Sequence, residues 1–364
     1  WSRGLGDVYK RQIIYIIGIV AVLTSCQGGN NRVVTLEKGD TVRFDYATLL
    51  TVVRYSDHTH VEIANPWVKG SVLRSYDISR PLGKAVVTTT AHCQLLAWLG
   101  KTAAIAGVCD SRYIGVDEVR KRLAAGKTVD CGNSMNPDVE RIAEIGADAI
   151  IVSPFEHSGG YGRLEKTGVT IIEAADYMEP SPLARAEWMR LYGILFGCEE
   201  QADSLFHVVD STYNSLRREA IKLPEGRSLL IERKTGSVWY CPGGRSTVGT
   251  LIADAHGRYP WMDDAHSGSL TLAPEQVVER GAHADAWMFV YSGKPITLRD
   301  LAGEYAGYKI LDAFRHGEVY GCNTDSVNYF EEIPFRPDYL LRDYIQIVHP
   351  GAGDGGLRYY KRID

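Results

Sequence analysis

Asn136-Pro137-Asp138-Val139-Glu140-Arg141-Ile142-Ala143-Glu144-Ile145-Gly146-Ala147-Asp148 runs directly into the apolar stretch Ala149-Ile150-Ile151-Val152. Much later, Ala273-Pro274-Glu275-Gln276-Val277-Val278-Glu279-Arg280-Gly281-Ala282-His283-Ala284-Asp285 runs into Ala286-Trp287-Met288-Phe289-Val290. In both, a proline near a helix start precedes a glutamate and apolar residues recur at helical spacing. A glycine then closes the helix, and a run suited to a buried strand follows. One α/β unit is therefore written twice, which predicts two similar lobes. Each lobe carries one acidic residue, Glu140 or Glu275, in the first turn of a short helix. Taken singly, each glutamate complements the positive end of a helix dipole, worth roughly a few tenths of a kcal/mol.

The chain between the two units is organised to match. From Glu199 to Ile221, Ala202, Leu205, Phe206, Val209, Tyr213, Leu216 and Ala220 form one stripe at spacings of three and four. Such a helix extends roughly 34 Å, about the width of a domain, and reads as a strut. A second amphipathic helix, Pro182 to Phe196, precedes it and closes at Gly197. Upstream, Ala85-Val86-Val87, Ile105 to Val108 and Val169 to Glu173 alternate with helical segments, including one capped within Thr88 to Thr90 and ending at Gly100. That alternation predicts parallel pairing, with the loops at the strand carboxyl ends gathered at one edge. Downstream, Ser228 to Glu232 and Ser237 to Tyr240 read as strands, Asp312 to Tyr320 as another, and Pro337 to Val348 as a closing helix. The tail beyond Gly351 carries no clear signal.

Residues 31 to 80 read as β-structure, through Arg43 to Tyr46, Leu50 to Tyr55, Val61 to Ile63 and Ser71 to Tyr76, with a hairpin at Ser56 to Thr59. The expected fold class is thus α/β: two Rossmann-like lobes with parallel-rich sheets, joined by one long spanning helix, plus an N-terminal β-rich extension. The expected divisions are 1–26, 27–82 (extension), 83–181 (N-terminal lobe), 182–223 (linking helices) and 224–364 (C-terminal lobe).

The first of these divisions reads as an export signal. Arg3, Lys10 and Arg11 precede the apolar run Ile13 to Val22, then Leu23-Thr24-Ser25-Cys26. Ten apolar residues are too short to span a bilayer and suit a signal core. Leu-Thr-Ser-Cys resembles the bacterial lipobox, which implies lipidation of Cys26 and an extracytoplasmic, membrane-anchored protein. With Trp1 first and no methionine before Met135, a natural start and a foreign start both fit the first dozen residues or so. Export places Cys93, Cys109, Cys131, Cys198, Cys241 and Cys322 in an oxidising compartment. No Cys-x-x-Cys occurs among them, and pairing of Cys241 with Cys322 and buried free thiols both fit the sequence.

Over 364 residues the net charge is -5, and no basic run stands out, which excludes a typical nucleic-acid binder. Motifs of the common enzyme classes are missing: no His-Glu-x-x-His, Gly-x-Ser-x-Gly, Walker loop or Gly-x-Gly-x-x-Gly after a strand. No catalytic residues, metal ligands or resident cofactor are assigned. Gly243-Gly244-Arg245-Ser246-Thr247 suggests an anion site at a helix start. The predicted edge loops are rich in Tyr161, Tyr177, Trp239, Tyr240, Trp261, Tyr291 and Tyr329, with Arg112, Arg163 and Arg245. Flat rings with a few cations suit a large, planar or anionic ligand such as a metal chelate.

These features together resemble the substrate-binding lipoproteins of ATP-binding cassette importers for iron complexes and vitamin B12, whose two lobes are joined by one long helix. The resemblance covers about Lys84 to Pro350 and rests on the two repeated units, the lipobox, the strut, and the ending Arg336-Pro337-Asp338-Tyr339-Leu340-Leu341 with His349-Pro350. Asn65-Pro66-Trp67 looks like a version found in Bacteroidetes-type bacteria. The resemblance implies that Glu140 and Glu275 dock with arginines of a membrane permease driven by a separate ATPase. It also implies a monomer that captures a ferric chelate, or alternatively cobalamin or haem, and carries out no covalent chemistry. Rival expectations are a secreted metal-dependent enzyme using His58, His60, His92 or His157, a zinc or manganese binding protein, and an adhesin.

Overall fold

The computed structural model describes residues 39–156, 160–353 and 355–364. Cys26 and the apolar run before it lie outside the described residues, as does His157. Among the described residues no helix is long and apolar enough to cross a membrane.

The extension is an antiparallel meander of β1 (Asp40–Val42), β2 (Leu50–Arg54), β3 (Thr59–Ala64) and β4 (Val72–Ile78), in that order. Alternation decides its buried face: Leu50 pairs with Ile63 and Val52 with Val61, and all four are buried. The hairpin at residues 55–58 forms as expected, with the Tyr55 N–H donating to the His58 carbonyl at 2.8 Å. Arg43 to Tyr46, however, is not a strand. Its backbone amides turn toward side-chain carboxylates, which offer stronger acceptors than a further sheet partner.

The N-terminal lobe contains β5 (Ala85–Val87), α1 (Thr90–Trp98), β6 (Ile105–Val108), α2 (Asp117–Ala124), β7 (Val129–Asp130), β8 (Gly132–Asn133), β9 (Asn136–Pro137), α3 (Val139–Ile145), β10 (Ala149–Val152) and β11 (Thr170–Glu173). Five of these strands make an all-parallel sheet in the order β11-β10-β5-β6-β7, while β8 and β9 form a small antiparallel ribbon. The sheet is covered on both faces, so its central strands β5, β6 and β10 carry no polar side chain. Val86 and Ile150 pack with Ile142 of α3 on one side. Ala85, Val87 and Ile151 join the main core on the other. Asp138 caps α3 by accepting from the Glu140 and Arg141 amides, and Gly146 ends it at φ +62°, where a side chain would be strained.

Two helices lead to the second lobe. α4 (Pro182–Phe196) begins at Ser181, whose hydroxyl accepts from the Ala184 amide, and ends at Gly197 in the left-handed conformation. α5 (Glu199–Lys222) has 24 residues and buries Ala202, Phe206, Val209, Tyr213 and Ala220, the stripe read from the sequence. The helices pack side by side, and the absent Cβ of Gly193 leaves room for Ala202.

The C-terminal lobe contains β12 (Leu229–Ile231), β13 (Lys234–Thr235), β14 (Val238–Pro242), α6 (Thr247–Asp254), β15 (Ser269–Leu272), α7 (Pro274–Gly281), β16 (Ala286–Tyr291), α8 (Leu298–Glu304), α9 (Asp312–Arg315), β17 (Val319–Asn323), α10 (Tyr329–Glu332), α11 (Pro337–Val348) and β18 (Lys361–Arg362). Its main sheet has the order β12-β16-β17-β18, parallel except for β18, and β13-β14-β15 form an antiparallel sheet beside it. Two expectations are corrected here, and the tail, which carried no signal, acquires a strand. Asp312 to Tyr320 is a helical turn followed by a strand, because Gly317 at φ +65° breaks the run. The tail returns as β18, with Tyr359 and Tyr360 buried against Asp343, whose carboxylate accepts from three backbone amides. The two repeated units also end differently: Gly281 is the last helical residue and Ala282 follows in right-handed conformation.

The extension is fastened to this frame by buried carboxylates. Glu187 of α4, fully buried, accepts from the amides of Asp45, Tyr46 and Ala47 at 2.7–2.8 Å and from Arg190 at 3.1 Å. Glu179 accepts from the Thr48 and Leu49 amides, the Thr48 hydroxyl and the Trp188 indole. Tyr46 reaches α5, donating to Asp210 at 2.6 Å. We expect Glu187→Ala to cost about 3–5 kcal/mol, because it leaves Arg190 and three amides without their acceptor in a dry site. Urea unfolding measures this, and a loss below about 1 kcal/mol would show that the extension does not depend on Glu187.

Candidate ligand-binding cleft

In a parallel α/β sheet each helix runs opposite to the strand it feeds, so helix N-termini and strand carboxyl ends share an edge. The first turns of α3 and α7 therefore lie at the carboxyl edges of β10 and β16. These two edges face each other. Thr90 at the start of α1 donates to Glu331 of α10, just beyond β17, at 3.0 Å, and the Gly115 amide donates to the same Thr90 hydroxyl. His92 lies 5.8 Å from the Phe335 ring across the same junction.

The floor beneath is a buried polar chain. The Thr89 hydroxyl and the His92 Nδ1 are 2.7 Å apart, His92 Nε2 and Asp176 Oδ1 are 3.0 Å apart, and Arg185 donates to Asp176 Oδ2. Burial alone would raise the Asp176 carboxyl, but His92 and Arg185 beside it hold it below the ordinary range. His92 is thus engaged on both nitrogens. Among the described residues no three metal-ligating side chains converge.

Each facing edge is concave. The N-terminal concavity, about 740 Å³, is lined by Thr89, Met135, Glu140, Phe155, Tyr161 and Arg163 among others. Tyr161 donates to the buried Glu173 at 2.7 Å, and Arg74, from the extension, reaches the same carboxylate at 3.4 Å and lies 5.7 Å from the Tyr161 ring. Arg163 stands 3.4 Å from Glu140, with both side chains largely exposed. The C-terminal concavity, about 450 Å³, is lined by Glu232, Arg233, Tyr240, Thr247, Ser267 and Ser269 among others.

The structure divides the sequence-derived ligand set. Tyr161 and Tyr240 line the concavities, Tyr177 is exposed and donates to the Pro154 carbonyl, and Tyr291 is half-buried at the carboxyl end of β16. Three rings are core instead. Trp239 has no exposed surface and packs on Trp287 and Tyr308, Trp261 is covered and lies under Arg280, and Tyr329 packs on Tyr359 and Tyr360. Large aromatics bury more area than any other side chain, and tertiary packing took these three.

Arg112 lies over Tyr113, and Arg245 is exposed, outside the lining of either concavity. The Gly243 to Thr247 loop is not an open amide nest. The Gly243, Arg245 and Ser246 amides already donate to backbone carbonyls, and a Cβ on Gly243 or Gly244 would strike the backbone of residues 261–268. Its glycines permit close backbone approach. All six described cysteines are free buried thiols, so Cys241 and Cys322 are not joined.

Sequence reasoning passed over Met135 and Phe155, both exposed on the N-terminal concavity, and Glu232. Their signal was position: each lies in or beside a loop at a strand carboxyl end.

The sequence profile of the periplasmic binding protein family matches residues 85–325. The chain belongs to this family. An uncharacterized lipoprotein of Methanocaldococcus jannaschii is 25% identical over 293 residues, 78% of this chain and 69% of that one. Among solved structures, a protein of an ABC-type Fe3+-hydroxamate transport system from Saccharomonospora viridis superposes with a TM-score of 0.60 at 17% identity, over 80% of this chain and 99% of that one. A periplasmic haem binding protein from Pseudomonas aeruginosa superposes with a TM-score of 0.59 at 15% identity, over 78% and 98%. At such identities these likenesses establish a shared two-lobed fold. The facing strand edges with their two concavities are the candidate ligand site. The extension before residue 85 lies outside the family match.

Within this cleft Glu232 is unusual. Burial raises its carboxyl to about 7, against the opposing pull of the Val290 amide and Arg233. The folded chain therefore holds the proton more tightly than the unfolded chain, and the stability this contributes is complete below about pH 4 and lost as pH rises through 7. Glu232→Gln does not titrate. Its stability relative to wild type should improve from pH 5 to pH 8 by on the order of 2 kcal/mol, as read by thermal melts across that range. A pH-independent difference would contradict the assignment.

Proposed function

We propose that the chain is the extracytoplasmic substrate-binding component of an ABC importer, anchored through a lipid on Cys26, and that it captures a ferric siderophore complex between its lobes. The observation carrying this reading is the pair of facing strand edges, each with a concavity and an exposed glutamate in the first turn of a helix, Glu140 or Glu275. The aromatic and thioether side chains on the N-terminal wall, Tyr161, Phe155 and Met135, offer apolar contact to the ligand shell of a chelate.

In this reading Glu140 and Glu275 meet arginines of the permease, one from each lobe. The Glu140 partner in the free protein, Arg163, is exposed and contributes about 0–1 kcal/mol, so exchange for a permease arginine carries little penalty. Two such contacts at a set separation orient a complex that must form and dissociate in every transport cycle.

Two measurements test this. The mature chain is mixed with ferrichrome, ferrioxamine B, haemin and cyanocobalamin, and the absorbance of the protein peak is read after gel filtration. A ferric hydroxamate band is expected, whereas haemin or cobalamin alone on the protein would move the ligand assignment to that compound. The variant Glu140→Ala/Glu275→Ala is expected to lower cellular uptake of the radiolabelled complex at least about tenfold at concentrations that saturate the variant, which separates docking from any change in affinity, since Glu140 also lines the N-terminal concavity. Uptake at the wild-type rate would remove both glutamates from docking.

A further inference from the structure

Glu232 is the first residue past β12, and its backbone is left-handed, at φ +61°. A non-glycine residue in that region carries strain of about 1–3 kcal/mol. Two hydrogen bonds hold it: the Glu232 amide donates to the Met288 carbonyl at 2.8 Å, and the Trp287 indole donates to the Glu232 carbonyl at 2.6 Å. Glycine would occupy this turn without strain, so the glutamate side chain is not there to satisfy the backbone. The turn instead sets its carboxyl at the base of the C-terminal concavity.

The groups facing that carboxyl come from every neighbouring element. They are the Val290 amide of β16, Cys241 of β14, Cys322 of β17, Tyr329 of α10, Tyr344 of α11, and Arg233 of its own segment. Burial pushes both thiols up to about 12 and raises both phenols, so these four are neutral at physiological pH. Arg233 alone is charged, and Glu304 engages its Nη1 with both oxygens, at 2.8 and 2.6 Å. Among the described residues Glu232 makes no ion pair, although the charge of Arg233 still acts on its carboxyl. The rest of the wall, Tyr240, Thr247, Ser267 and Ser269, supplies hydroxyls and no further cation.

We propose that Glu232 is the selecting group of the cleft and that it takes a chelate bearing a protonated amine. This rests on the importer reading above. A half-buried carboxylate whose neighbouring cation, Arg233, is engaged by Glu304 gains from a ligand ammonium a partner the protein does not give it. On the opposite wall the cation among the described lining residues, Arg163, stands beside the carboxylate of Glu140 in the free protein. Ammonium binding stabilises the ionised carboxylate and releases the proton it carries below pH 7. Affinity for the amine-bearing chelate should therefore rise about tenfold from pH 6 to pH 8.

Ferrioxamine B carries a pendant ammonium on its ferric trihydroxamate, and its N-acetyl derivative is the same complex without that charge. Quenching of tryptophan fluorescence in the mature chain reports binding of each between pH 5.5 and 8.5. Wild type is expected to prefer the charged complex at least tenfold at pH 8 and to lose most of that preference at pH 6. Glu232→Gln is expected to bind both complexes alike with a flat profile, while near-ultraviolet dichroism confirms its native packing. Glu304→Gln frees Arg233 to pair with Glu232, and is expected to weaken the charged complex selectively without altering any group in contact with it. Preference and slope retained in Glu232→Gln would overturn the inference. Equal binding of both complexes to wild type would overturn it too, and leave the importer reading standing. Binding of neither complex would overturn the inference and the ferric-chelate reading together.

Discussion

The seating of the β-meander on the helix pair depends on the fully buried carboxylate of Glu187. Glu187 lies mid-way along α4, where an unpartnered charge would not be tolerated. It is stabilised because Asp45, Tyr46 and Ala47 present three amides to it and Arg190 closes the site. The chain must therefore bend at residue 45 and deliver its β-meander onto the helix pair. Glu179 repeats the device one turn of chain later, and Tyr46 ties the bend to α5. The helices that connect the lobes are thus braced from outside by a sheet that the family match does not include.

That brace has a consequence at the cleft. From the bend the meander runs back to β4, and Arg74 on β4 reaches Glu173 at the carboxyl end of β11, the carboxylate that also accepts from Tyr161. The extension therefore supports Tyr161, which lines the N-terminal concavity, without lining it itself. The floor is equally committed: Thr89, His92, Asp176 and Arg185 form one hydrogen-bonded chain, with His92 stacked on Tyr192 of α4. Rigid helices, a fixed floor and a braced wall leave the exposed edge loops as the adaptable part of the site. Loops of this kind carry specificity on an invariant scaffold in many folds.

Much of this was legible beforehand. Periodicity marked α4 and α5 almost to the residue, because a long stripe at helical spacing, ended by Gly197 in α4 and followed by Pro224 after α5, has few alternative readings. The two repeated units announced the paired lobes and put Glu140 and Glu275 at matching edges. Elements held by long-range partners were harder to read. Arg43 to Tyr46 has the composition of a strand and is bent by carboxylates more than a hundred residues away, and the glycine-rich tail becomes β18 because Asp343 collects its amides. Counting aromatics near strand ends could not separate Tyr161 and Tyr240, which line the concavities, from Trp239, Trp261 and Tyr329, which fill the core.

The amino-acid sequence by itself determined the α/β class, the duplicated unit, the connecting helices and the first-turn positions of Glu140 and Glu275, since each follows from local spacing and capping. Tertiary structure alone decided which rings face the cleft, that the amides of the glycine loop are occupied, and that Glu232 stands strained in the C-terminal wall with no ion pair among the described residues. The physical reason is range. Helix and strand patterns are written within a few turns of chain, whereas burial, desolvation and charge pairing depend on what other segments bring to the same place.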